Sequence, residues 1–128
     1  MRAFDWKRIC CPVDSEPSSR AGLEVAVDLS RRLGAELTLL HVETPGATDA
    51  PHATAWRAEA EQAGIRVASA ATAGEPDRAI ADYVNEHGYD LVVMGTHART
   101  GREHMLTGSV AESTVRLARC PVMVVQPP

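Results

Sequence analysis

Between Met94 and Ser113 the chain reads MGTHARTGREHMLTGSVAES, with Gly95, Gly101 and Gly108 set among hydroxyl side chains. Gly95 directly follows an apolar run, where a missing side chain lets the backbone approach a ligand closely. Gly108-Ser109 stands just before a helical pattern, and Ser109-x-x-Glu112 has capping-box spacing. That spacing aims backbone N–H groups and the positive end of a helix dipole at the loop. Thr96, Thr100, Thr107 and Ser109 add hydroxyl donors. Such a segment suits an anionic group, a phosphate above all. Glycine-bearing connections also serve as plain links in many α/β proteins, so the surrounding elements must decide.

The familiar phosphate loops are excluded on spacing. A Walker A loop needs Gly-Lys-Ser/Thr, and the only lysine, Lys7, is remote from any glycine-rich turn. No G-x-G-x-x-G string follows a strand. His97 and His104 flank the loop without a third ligand at metal spacing, so they read as exposed loop histidines and no metal ligand is assigned. Arg99 and Arg102 either solvate the surface or reach a phosphate. His41 reads as a packed core-edge residue. Cys10, Cys11 and Cys120 show no C-x-x-C spacing and read as reduced core or near-core thiols. No Ser-His-Asp or Cys-His arrangement emerges, and no residue is assigned to catalysis.

At 128 residues, 45% of them hydrophobic, the chain is expected to fold as a single domain over residues 1–128. A formal net charge of -4 speaks against binding nucleic acid or an anionic membrane. The apolar runs are far shorter than the ~18 residues of a membrane span. The N-terminal stretch, broken by Asp5 and Lys7, lacks a signal-peptide core. The expected compartment is the cytoplasm.

The elements that must position the loop follow from periodicity. Short β-type runs at 8–13, 36–42, 65–70, 91–94 and 122–125 alternate with helical patterns, the signature of βα units on a parallel sheet. Gly22, Val25, Ala26, Leu29 and Leu33 form the apolar face of the first helix, which Gly34 closes. Ala53, Trp56, Ala60 and Ala63 recur in a second. Pro76 opens a third, with Ala79, Ile80, Tyr83 and Val84 inward. The fourth runs from Ser109 to about Arg119. Five strands and four helices with right-handed crossovers predict a three-layer α/β sandwich, and with the first strand central the expected strand order is 3-2-1-4-5. Ligands bind such sheets outside the carboxyl ends of the strands where the order reverses, between the first and fourth strands. Those strands lead into Asp14 and Gly95.

This order of elements, Asp14 after the first strand, LLHV at the second, and VVMGTHARTG followed by LTGSVAE together resemble the universal stress protein family over essentially the whole chain. The resemblance implies an adenine nucleotide alpha hydrolase-like sandwich. ATP-binding members carry G-x2-G-x9-G-[S/T]. Gly95, Gly108 and Ser109 match in type and spacing, while Ala98 stands at the second glycine and adds one methyl. The stretch between Val42 and Ile65 is shorter than the family usually shows. By resemblance, Val13, Asp14, Val42 and Met94 form the adenine pocket, and Gly95, Ala98, Gly108, Ser109 and Val110 line the ribose and phosphates. Mg²⁺ would ride on the phosphates.

The first functional reading is therefore a stress-response module that binds an adenine nucleotide, ATP foremost, and signals its occupancy to a partner. A slow ATPase and a dimeric interaction module that has lost nucleotide binding are the alternatives. Val122, Met123, Val124 and Val125 form an apolar last strand with prolines only at its flanks. At the sheet edge it is expected to pair with a second copy in a homodimer.

Overall fold

The computed structural model describes residues 1–14, 19–43, 53–96 and 108–127. In chain order they form β1 (Arg8–Val13), α1 (Arg20–Leu33), β2 (Glu36–Glu43), α2 (Ala53–Gln62), β3 (Val67–Ala73), α3 (Pro76–His87), β4 (Leu91–Gly95), α4 (Gly108–Leu117) and β5 (Val122–Val125). The five strands make one parallel sheet in the order β3-β2-β1-β4-β5, as the sequence pattern predicts.

Helices cover both faces, and the strand pleat decides which core each side chain joins. Ile9, Cys11, Val13, Leu37, Leu39 and Val93 pack with Leu23 and Ala26 of α1 and Trp56 of α2. Cys10, Leu40, Val42, Val92 and Met94 pack on the other face with α3 and α4. The adjacent Cys10 and Cys11 therefore point into opposite cores, the direct result of the two-residue period. Burial pushes the Cys11 thiol up to about 12 and raises that of Cys10 well above its usual value, so both stay protonated and unreactive at neutral pH. All three cysteines are free thiols.

Helix ends follow local chemistry. Pro76 sits in the first turn of α3, and Gly34 and Gly88 end α1 and α3 in the left-handed region at φ 69° and 70°, where a Cβ would strain. Two details differ from the sequence reading. β3 spans Val67–Ala73 rather than 65–70, because its register follows β2 from Leu37↔Val67 out to Glu43↔Ala73. An alanine-rich edge strand carries little pattern of its own to mark those ends. Leu33, read as part of the buried face of α1, is 43% exposed. The inward positions are Gly22, Leu23, Ala26 and Ser30.

Candidate functional site

The switch point is built by a parting of strands. β1 pairs with β2 along its whole length to Val13↔His41, and β4 pairs with β5 to Gly95↔Val125. Between β1 and β4 the ladder stops at Cys10↔Val92. Residues 11–13 and 93–95 therefore run on without pairing to each other, each held only by its outer neighbour. A crevice at the carboxyl ends of a doubly wound sheet begins in this way.

Polar groups mark both lips. Asp14, directly after β1, is 3% exposed, and so is Thr96, directly after β4. Asp14 is not the cap of α1, a position held by Ser19. Thr96 donates its backbone N–H to the Val125 carbonyl at 3.2 Å, which holds the end of β4 to β5. α4 begins at Gly108. As a crossover helix it runs antiparallel to the strands, so its leading N–H groups lie at the carboxyl end of the sheet. Ser109 lies inside the first turn rather than at the cap. The helix begins two residues earlier than the capping-box reading requires, and Ser109 is exposed there.

Val42, Met94 and Val110 meet in the α3/α4 core, whereas Val13 belongs to the opposite core. The three strand-end side chains thus divide between the two faces. Ala98 lies outside the described residues, as do His97, Arg99, Arg102 and His104. His41 packs between Val13 and Ala71 in register, and its Nδ1 is buried with no hydrogen-bond partner among the described residues. No group of three His, Cys, Asp or Glu suited to a metal occurs among the described residues.

Two features escaped the sequence reading. Arg20, the first residue of α1, hydrogen-bonds both carboxylate oxygens of Glu59 on α2 and lies over the Trp56 ring at 6.0 Å. This pair ties the two helices of one face together and holds the Glu59 carboxyl below its usual range. No sequence spacing joins residues so far apart. The second is Gly22, where a Cβ would lie 2.5 Å from the Gly95 nitrogen. A glycine within a helix, less favourable there than alanine, was the available signal.

Comparison with known proteins follows the same lines. The family model described as "Universal stress protein family" matches residues 5–64 and 49–126. A universal stress protein of Methanocaldococcus jannaschii is 28% identical over 142 residues, covering 96% of this chain and 84% of that protein. A universal stress protein crystallised in complex with cAMP superposes with TM-score 0.72 at 20% identity, covering 97% of this chain and 99% of that one. One from Archaeoglobus fulgidus in complex with dAMP gives 0.70 at 22% identity, covering 95% and 99%. No helix among the described residues is long and apolar enough to cross a membrane. The strand order, the parted β1 and β4, and a family match across both halves of the sequence lead to one assignment: the chain belongs to the universal stress protein family.

Proposed function

We propose that this protein is a stress-response module that binds an adenine nucleotide, ATP with Mg²⁺ on its phosphates, in the crevice between β1 and β4. The observation that carries the reading is the ladder that ends at Cys10↔Val92 while both strands continue, with Asp14 and Thr96 buried at the lips. The Asp14 carboxylate suits an exocyclic amine or a ribose hydroxyl. Val13, Val42 and Met94 supply apolar strand ends for the base, while Gly95, Ala98, Gly108, Ser109 and Val110 take the ribose and phosphates at the start of α4. The universal stress proteins solved in complex with cAMP and dAMP support the adenine part of this reading. Occupancy acts as a signal to a protein partner in the cytoplasm, a compartment in keeping with three free thiols.

The module works as a homodimer joined through β5. Met123 and Val124 on this edge strand are 40% and 38% exposed, and Leu33, which lines a cleft with Val122 and Met123, is more so. Antiparallel pairing about a two-fold axis would satisfy the outer backbone groups and cover these side chains.

Calorimetric titration of ligand-free protein with ATP and Mg²⁺ tests the nucleotide reading. A saturable site is expected. A flat titration of folded protein would refute it and leave the interaction module that has lost nucleotide binding.

A further inference from the structure

We propose that Gly22 is a positioning residue of the crevice: its missing side chain lets α1 lie directly on the Met94–Gly95 peptide and so fixes the β4 end of the cradle. The proposal rests on the nucleotide reading above.

Glycine in a helix interior loses about 0.5–1 kcal/mol relative to alanine through chain entropy and lost propensity. Gly22 is the third residue of α1, and its φ is not among the positive values at which glycine is preferred. Backbone conformation therefore does not require glycine here. Space does. A Cβ at Gly22 would stand 2.5 Å from the Gly95 nitrogen, 2.9 Å from the Met94 carbonyl carbon and 3.3 Å from the Gly95 Cα. All three are backbone atoms, so no side chain can rotate away. Ordinary contact distance would be restored only by parting α1 and β4 by about 1 Å.

Apart from the Met94 side chain, buried in the α3/α4 core, the backbone of that segment has few holds. It has left the β1 ladder at Val92 and is held on its far side by β5, through the Gly95↔Val125 register and the Thr96 N–H to Val125 carbonyl bond. The Met94–Gly95 peptide is thus gripped between β5 and the bare backbone of α1. Gly95 is also the residue at which a ligand must approach the strand closely. Two glycines, one in each element, meet at this point, and an added methyl at Gly22 would shift the Gly95 peptide relative to the start of α4.

The opposing effects of a methyl make the test decisive. If Gly22 had no packing role, Gly22→Ala would raise the melting temperature through helix propensity and leave binding alone. The expected result is a lower melting temperature and ATP–Mg²⁺ binding weakened by at least about tenfold. Ala26→Gly serves as the control, since it destabilises the same helix without pressing on Gly95 and should bind like the wild type. Gly22→Ala binding within about threefold of wild type, a raised melting temperature, or an equal loss in Ala26→Gly would each overturn the proposal. A wild type that fails to bind would instead defeat the nucleotide reading itself. Should Gly22→Ala not fold, amide hydrogen exchange of the wild type decides. Gly95 and Thr96 already protected without nucleotide is the expected result, and protection gained only on adding ATP–Mg²⁺ would overturn it.

Discussion

Removing the Asn85 side chain separates what anchors α4 from what its other end does. Asn85, on α3, donates from Nδ2 to the Leu117 carbonyl at 3.0 Å and accepts at Oδ1 from the Arg119 N–H at 2.8 Å. It thereby supplies one of the carbonyl partners that a helix C-terminus lacks and holds the turn into β5. The first bond is part-buried and the second exposed. Net contributions of about 1 and 0.5 kcal/mol, with a further share for the Leu117 carbonyl left short of a donor, give about 2 kcal/mol for Asn85→Ala. With a urea m-value of about 2 kcal/mol/M, the midpoint should fall by about 1 M at unchanged m. Asn85→Asp should fare no better at neutral pH, because it loses the donor and sets a negative charge at the negative end of the helix dipole. The start of α4 lies about 15 Å away along a ten-residue helix, so ATP affinity should hold within about threefold while the protein is folded. A midpoint shift below about 0.3 M, or a tenfold loss of affinity, would refute this division of labour.

Two further outcomes follow from burial. Val124→Lys places a charge on the exposed outer strand and should convert a sedimenting dimer to monomer; a wild type already monomeric at micromolar concentration would exclude the β5 interface. The Cys11 thiol is shifted by burial from 9.0 to about 12, so above pH 9 the unfolded chain gives up a proton that the folded chain keeps. Stability is whole below that pH and falls as pH rises toward 12, by up to about 1.4 kcal/mol per unit for this group. Urea unfolding at pH 8 and 10.5 should show a smaller drop in Cys11→Ala than in the wild type, and an equal drop would mean the thiol is not sealed in the core.

The strands, helices and sheet order were legible because the apolar periods change type at each boundary and because Pro76, Gly34 and Gly88 stand where helices start and stop. Right-handed crossovers alone leave several strand orders open, so order 3-2-1-4-5 rested on placing the first strand at the centre of a doubly wound sheet. Less legible was anything set by a neighbour distant in sequence. The ends of β3 are fixed by its partner β2 rather than by its own residues. The division of Val13 from Val42 and Met94 comes from strand parity, which a list of strand-end residues ignores. The Arg20–Glu59 pair and the Gly22–Gly95 contact join α1 to elements 39 residues on in one case and to the fourth strand in the other. In the sequence alone Gly22 is one more small residue on an apolar face.

The two ends of the sheet are built on different physical terms, and that contrast explains how one short chain can be both stable and open. At the amino ends the connections are cross-linked. Asp90 accepts the backbone N–H groups of Lys7 and Arg8. The Arg8 guanidinium lies 4.3 Å from the Tyr89 ring centroid and donates to the His87 carbonyl, and the buried Tyr89 hydroxyl donates to Thr38 at 2.9 Å. Asn85 closes the same end of α4. These bonds tie the start of β1 to the turn before β4 and the turn before β5 to α3, so β1 and β4 are firmly paired where they begin. With the amino ends secured, the carboxyl ends can part after Cys10↔Val92 without loosening the sheet. The open ladder there is paid back by packing of bare backbone, Gly22 on Gly95, which brings α1 close and fixes the lip without filling the crevice. A bulkier residue at either position would close that approach or push the lip out of place. The stitched end therefore carries stability and the parted end the proposed site, and substitutions at Asn85 and Gly22 should separate the two in measurement.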